Sequence, residues 1–184
     1  MSRTALLLMD LQVSTLSRVA EDYLARAVET LEIARATGVP VIHVAVQLRR
    51  DHVDAHSRNK IFGSLPAGVF TEDDPAGAIH PDVAPADGEI VVYKNRVSAF
   101  AGNNLQQILA AQDITKLVLA GIATSGVVLS TTLQAADLDY DVTVLADACV
   151  DPSPALHETL ITDVFARRGR TTTIAEWAQE LASA

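Results

Sequence analysis

The chain has 184 residues, 49% hydrophobic and 20% charged, the composition of one globular domain with a well-filled core. Fourteen basic residues against 23 acidic ones leave a formal charge of −9, which argues against nucleic acid or an anionic membrane as partner. The one cysteine, Cys149, leaves no internal disulfide or multi-thiolate metal site. The apolar run Ala5–Met9 is too short for a signal segment, and none approaches the ~18 residues of a membrane span. A soluble, cytoplasmic protein is expected.

Strand and helix signals alternate along the chain. Thr4–Met9 is a continuous apolar run ending at Asp10, the pattern of a strand buried on both faces. Leu24, Ala27, Val28, Leu31 and Ala34 follow at helical spacing, and Gly38 with Pro40 closes that helix. Val41–Val46 reads as the second strand, Glu89–Tyr93 as the third and Lys116–Ala120 as the fourth. Asn103 and Asn104 are N-cap candidates for a short helix carrying Leu105, Ile108 and Leu109. A helix over 125–138 leads to a fifth strand, Val142–Leu145. Ser153 followed by Pro154 opens another helix, and a short strand over Thr172–Ile174 precedes a terminal helix around Trp177. This alternation predicts an α/β protein, a three-layer α/β/α Rossmann-like fold with a central parallel sheet of five or six strands. One domain spans residues 1–184.

Residues 49–88 do not alternate. They hold Pro66, Pro75, Pro81 and Pro85 together with Gly63, Gly68, Gly77 and Gly88. So long a segment without a clear element is either a lid or binding excursion, or an irregular connection with one helical turn.

In an open parallel sheet, ligands bind beyond the carboxyl ends of the strands. There the first strand presents Asp10 and then Gln12, and the second Gln47, then Arg49 and Arg50. The third runs into Lys94 and Arg96, the fourth into Gly121-Ile-Ala-Thr-Ser-Gly126, and the fifth into Asp147. An acid, an amine and a glycine-bounded turn opening a helix make a plausible active site, with backbone N–H groups suited to an oxyanion or a carboxylate.

Three segments carry a family likeness: Leu7–Gln12, Val92–Phe100 and Gly121–Thr131. They resemble the isochorismatase-like hydrolases, a superfamily of nicotinamidases, other small amidases and isochorismatases. Ala135–Ala148 also looks like the strand that follows the family's catalytic helix, so the likeness runs through nearly the whole chain and lapses mainly in 49–88. The resemblance implies a catalytic Asp at Asp10 and a catalytic Lys at Lys94. The family's cysteine falls at Val127, which has no nucleophilic atom, so acyl-enzyme chemistry cannot occur at that position. Cleaving a vinyl ether needs proton transfer rather than a thiolate, and an acid such as Asp10 would suffice. Gln47 is similar to a substrate-contacting glutamine of the isochorismatases. Gln12, Arg96, Ile122, Ala123, Thr124, Ser125 and Gly126 are the further substrate-binding candidates. In the family's amidases a non-proline cis peptide precedes the cysteine, and the equivalent bond here is Ile122–Ala123. The likeness also implies a homo-oligomer.

Each residue has a plainer reading. Asp10 can cap a turn, and Lys94 can be a solvated strand end. Cys149 reads as a buried, inert thiol rather than a displaced nucleophile. Ser125 and Ser130 do not align with the missing thiol. Asp54 and His56 match the Asp-x-His spacing of the family's metal-dependent members, but Ser57 replaces the expected proline, so no metal is expected. His43 reads as a satisfied core residue, and no cofactor is expected. The leading expectation is an isochorismatase-like hydrolase acting on a small molecule through Asp10. A cysteine-independent amidase using activated water and a non-catalytic binding or scaffold protein remain open beside it.

Overall fold

The computed structural model describes residues 3–183, apart from the side chain of Glu21. Six parallel strands form one sheet in the order β3-β2-β1-β4-β5-β6. They are β1 (Arg3–Met9), β2 (Val41–Val46), β3 (Ile90–Lys94), β4 (Ile114–Ile122), β5 (Asp141–Val150) and β6 (Arg170–Thr172). The helices are α1 (Val13–Leu16), α2 (Glu21–Thr37), α3 (Leu105–Ala111), α4 (Leu129–Asp137), α5 (Pro154–Thr159) and α6 (Ile174–Ala182).

Strand alternation sorts the core into two layers. Ala5, Leu7 and Met9 of β1 face Leu105 and Leu109 of α3, Val128, Ala135 of α4 and Phe165. Leu6 and Leu8 face the other way, onto Tyr23, Ala27 and Leu31 of α2 and Trp177 of α6. Both faces of β1 are therefore buried, which is why its sequence shows an unbroken apolar run. Helix α2 ends at Gly38, whose φ of 71° lies in the left-handed region that closes a helix. Helix α5 begins at Ser153, whose side chain accepts the Leu156 N–H, with Pro154 in its first turn.

The strand order places a switch point at β1 and β4. The chain moves outward through β2 and β3 on one side, then returns to add β4, β5 and β6 on the other. Loops leave β1 and β4 in opposite directions, opening a crevice at their carboxyl ends. Gly121 lets β4 approach β1 closely there: its φ is 153°, and a Cβ would collide with the Met9 carbonyl oxygen.

Four local expectations need correction. Strand β5 continues past Leu145 to Val150, with a register irregularity against β4, so Asp147 lies within the strand and Asp151 ends it. The helix expected from residue 125 begins as a π-helical turn at Thr124–Val128, and regular α4 starts at Leu129. The last strand is Arg170–Thr172, and Ile174 already belongs to α6. Residues 49–88 contain three short 3-10 turns rather than one, and Phe62 packs with Val46 and Leu48 in a small cluster of its own.

Candidate active site

Asp10 is the first residue after β1. Its φ of 60° lies in a region that Asp tolerates better than most residues, and its N–H donates to the Val44 carbonyl at 2.8 Å. Lys94 is the last residue of β3, and its side chain is 1% exposed. Its Nζ reaches Asp10 Oδ2 at 2.9 Å and donates to the Arg96 carbonyl at 3.1 Å. Burial pushes the Asp10 carboxyl above its ordinary value, while the charge and hydrogen bond of Lys94 pull the other way. Asp10 Oδ1 is buried without a hydrogen-bond partner. One oxygen is thus fixed, and the other is buried without a partner.

On the far side of the crevice, the Ile122–Ala123 peptide is cis. Thr124 is fully buried, with Oγ1 and His157 Nδ1 at 2.8 Å. The Ser125 N–H donates to Asp151 Oδ2 at 2.7 Å, and the Gly126 N–H donates to the Ala123 carbonyl at 3.0 Å. The turn therefore offers fewer free donors than its sequence suggests, because Ser125 and Gly126 already spend theirs inside the protein. Burial pushes the Asp151 carboxyl up, but the Ser125 and Ser153 hydrogen bonds outweigh it and hold it below its ordinary value.

Val127 is 2% exposed and packs in the core layer with Met9, Val92 and Val128. Gln12 is held by backbone partners. It is fully buried, donating to the Val46 and Gly77 carbonyls and accepting the Val46 N–H at 2.8 Å, so its amide is already occupied. It clamps the end of β1 to β2 and to the excursion.

A cleft of about 650 Å³ opens beside the ends of β2 and β3, with Gln47, Arg49, Tyr93, Lys94 and Asn95 in its walls. Asp10, Ala123 and Val127 are not among its lining residues, so it meets the pair only at Lys94. Arg96 turns towards the excursion, donating to the Asp54 carbonyl at 2.9 Å and lying 5.9 Å from the Phe62 ring centre. Asp54 accepts the Arg49 N–H at 3.2 Å, and His56 Nδ1 accepts the Arg58 N–H at 3.0 Å. Among the described residues, no group of three or more His, Cys, Asp and Glu is arranged to hold a metal ion. No described helix is long and apolar enough to cross a membrane.

Cys149 is buried, and burial pushes its thiol up to about 12, far from a thiolate at neutral pH. His43 is 2% exposed and bonded to Glu89 at 2.9 Å; burial lowers its pKa against the pull of Glu89. The residues that sequence reasoning missed are Asp151 and His157. Asp151 could have been found once β5 was extended. His157 meets Thr124 across 33 positions, and no local pattern signals that contact.

Six parallel strands in this order, with a buried Asp–Lys pair at the carboxyl edge beside the switch point, define a doubly wound α/β domain. The sequence profile of the isochorismatase domain matches residues 4–176, and the chain belongs to the isochorismatase family. It is 29% identical over 189 residues to an Arabidopsis thaliana protein named a probable inactive nicotinamidase, across 97% of this chain and 96% of that one. It is 39% identical over 104 residues to an Arthrobacter N-carbamoylsarcosine amidase, across 54% of this chain and 39% of the amidase. The crystal structure of an isochorismatase family protein from Desulfovibrio vulgaris superposes with a TM-score of 0.88 at 27% identity, covering 99% of this chain and all of that one.

Proposed function

We propose that the chain is a hydrolase of a small molecule that uses Asp10 as general acid and base, without a thiolate nucleophile. The observation that carries this reading is the Asp10 carboxyl itself. It is buried, held through one oxygen by Lys94 at 2.9 Å, and unpartnered at the other. Burial raises its pKa, and that favours a proton on the carboxyl closer to neutral pH.

The chemistry that suits such a group is cleavage of a vinyl ether or a related bond. Asp10 transfers its proton to the terminal carbon of the double bond, leaving an oxocarbenium ion. Water adds to the cationic carbon and returns a proton to the carboxylate. The hemiketal then collapses to a carbonyl compound and an alcohol. Lys94 stabilises the Asp10 anion between the two proton transfers.

A second reading is a non-catalytic binding protein on the same fold. It is favoured by Val127, whose side chain is sealed in the core where a thiol would be needed. Turnover assays against vinyl ethers and small amides, with wild type and Asp10→Asn, decide between the two. The expected result is vinyl-ether turnover that Asp10→Asn lowers by about 10²–10⁴-fold. Turnover unchanged in that variant refutes the general-acid role. Turnover of amides alone moves the assignment to a water-activating amidase, and saturable binding without turnover moves it to the binding protein.

A further inference from the structure

We propose that the pocket between α2, the end of β5 and α5 is a second small-molecule site, and that it takes a compact apolar carboxylate. The pocket measures about 310 Å³, near the lower end of the range for small-ligand sites. Its walls are largely apolar, from Ala146, Cys149, Val150 and Pro154, with Arg26 and His157 at the polar side. Neither Asp10 nor Lys94 lines it, so it is separate from the Asp–Lys site.

The charge of the occupant follows from what the polar groups already do. Asp151 accepts backbone N–H groups at both oxygens, from Ser125 at 2.7 Å and Ser153 at 3.1 Å. Asp147 Oδ1 accepts the Ile174 N–H at 2.9 Å. Asp151 is therefore committed to the backbone at both oxygens and Asp147 at one. The donors are less fully used. Arg26 gives Nε to the Asp147 carbonyl at 2.9 Å and one terminal nitrogen to Asp22. Its other terminal nitrogen has no partner among the described residues. His157 engages Thr124 through Nδ1, and its Nε2 likewise has none.

The guanidinium is also held in place. It lies 5.7 Å from the ring centre of Tyr23, whose hydroxyl is anchored on the Ala148 carbonyl at 2.9 Å. A fixed cationic donor against an apolar wall suits an anionic head on an apolar body, because an arginine–carboxylate bond is charge-assisted and directional. A neutral amide of the same shape loses that bond.

Occupancy has a consequence for the first site. His157 and Asp151 both border the pocket, and they are the side chains that hold Thr124 and Ser125 of the crevice turn. A ligand touching them changes the environment of that turn without reaching Asp10.

Titration of the ¹⁵N-labelled full chain with benzoate, and separately with benzamide, tests the site by amide chemical shifts. Benzoate is expected to give saturable shifts at Ala146, Val150, His157 and Ser125. Benzamide, or benzoate with Arg26→Gln, is expected to bind about tenfold or more weakly, the loss of one charge-assisted pair. The wild-type comparison of benzoate with benzamide stands even if the variant fails to fold. Equal affinity for the two probes, shifts centred on Lys94 and Asn95, or no saturation overturns the proposal. The same shifts on raising protein concentration without benzoate assign the pocket to a second copy of the chain, and also overturn it.

Discussion

Asp10 and Asp151 end the strands on either side of β4, and each is almost sealed from solvent, at 7% and 8% exposure. Their carboxyls nevertheless shift in opposite directions, Asp10 up and Asp151 down. Two differences separate them. Asp10 lies deeper, at the end of a central strand with both faces covered. It also receives one donor, Lys94, whereas Asp151 receives a backbone N–H at each oxygen. A strand-end carboxylate becomes a proton-transfer candidate when burial outruns its supply of donors. It becomes a structural brace when donors outrun burial. Glu89, just before β3, extends the second case: Arg35 binds it bidentately at 2.8 Å, and Ala86 N–H and His43 add further bonds.

The largest expected effect comes from removing the one donor of the deep carboxylate. Lys94→Ala leaves Asp10 buried without its counter-charge and should cost about 3–5 kcal/mol, read from urea unfolding. Asp10→Asn placed on top of it should return part of that loss. A single-variant cost under about 1 kcal/mol would mean that the pair is not a buried ion pair in solution.

Glu89 sharpens the braced side. Hydrogen bonds from Arg35, with smaller help from Ala86 and His43, outweigh burial and lower its pKa from 4.5 to about 2. A depressed folded-state value adds stability above the unfolded value and loses it as pH falls from about 4.5 to 2. The shift corresponds to roughly 3 kcal/mol at most. Glu89→Gln should therefore lower stability at pH 7 by roughly 2–3 kcal/mol and flatten the acid limb of the unfolding profile. An acid limb with wild-type steepness would assign that sensitivity to other carboxylates.

Asp151→Ala strands two backbone donors and should cost about 2 kcal/mol, less than Lys94→Ala. Carboxyl-carbon NMR titration compares the two aspartates directly. Asp151 should titrate below the ordinary value and Asp10 above it. The signs for stability then oppose each other. The Asp151 contribution is present above its unfolded pKa and lost as pH falls through the folded one. The Asp10 contribution is present below its unfolded pKa and lost as pH rises through the folded one. Coincident titrations would break the comparison.

Much of this frame is legible in the sequence. The apolar run of β1 ending at Asp10 follows from two-sided burial, and the apolar run of edge strand β3 ends at Lys94, so a terminal charge marks each member of the pair. The bracing of the turn is not legible. Asp151 follows a strand whose irregularity hides its length, and His157 reaches Thr124 from a later helix. Gln12 stands in a motif and invites a substrate role. Only the placement of the Val46 and Gly77 backbones shows its amide to be occupied.

The smallest expected change in stability tests the deep side most directly. Val127→Cys removes little volume from a core site that is 2% exposed and should cost less than about 1.5 kcal/mol. It gives the chain two thiols in one core layer, one at the turn after β4 and one within β5. Cys149 bonds only weakly to the Leu119 carbonyl and is pushed up to about 12, so it should resist iodoacetamide at pH 7 while the protein stays folded. A thiol at 127, on the turn across the crevice from Lys94 and Asp10, should react about tenfold or more faster if that corner lowers its pKa. Lys94→Gln in the Val127→Cys background should remove most of the gain, because the ammonium that favours a thiolate is then absent. Equal labelling of both cysteines would mean that the Asp–Lys pair exerts no chemical influence at residue 127.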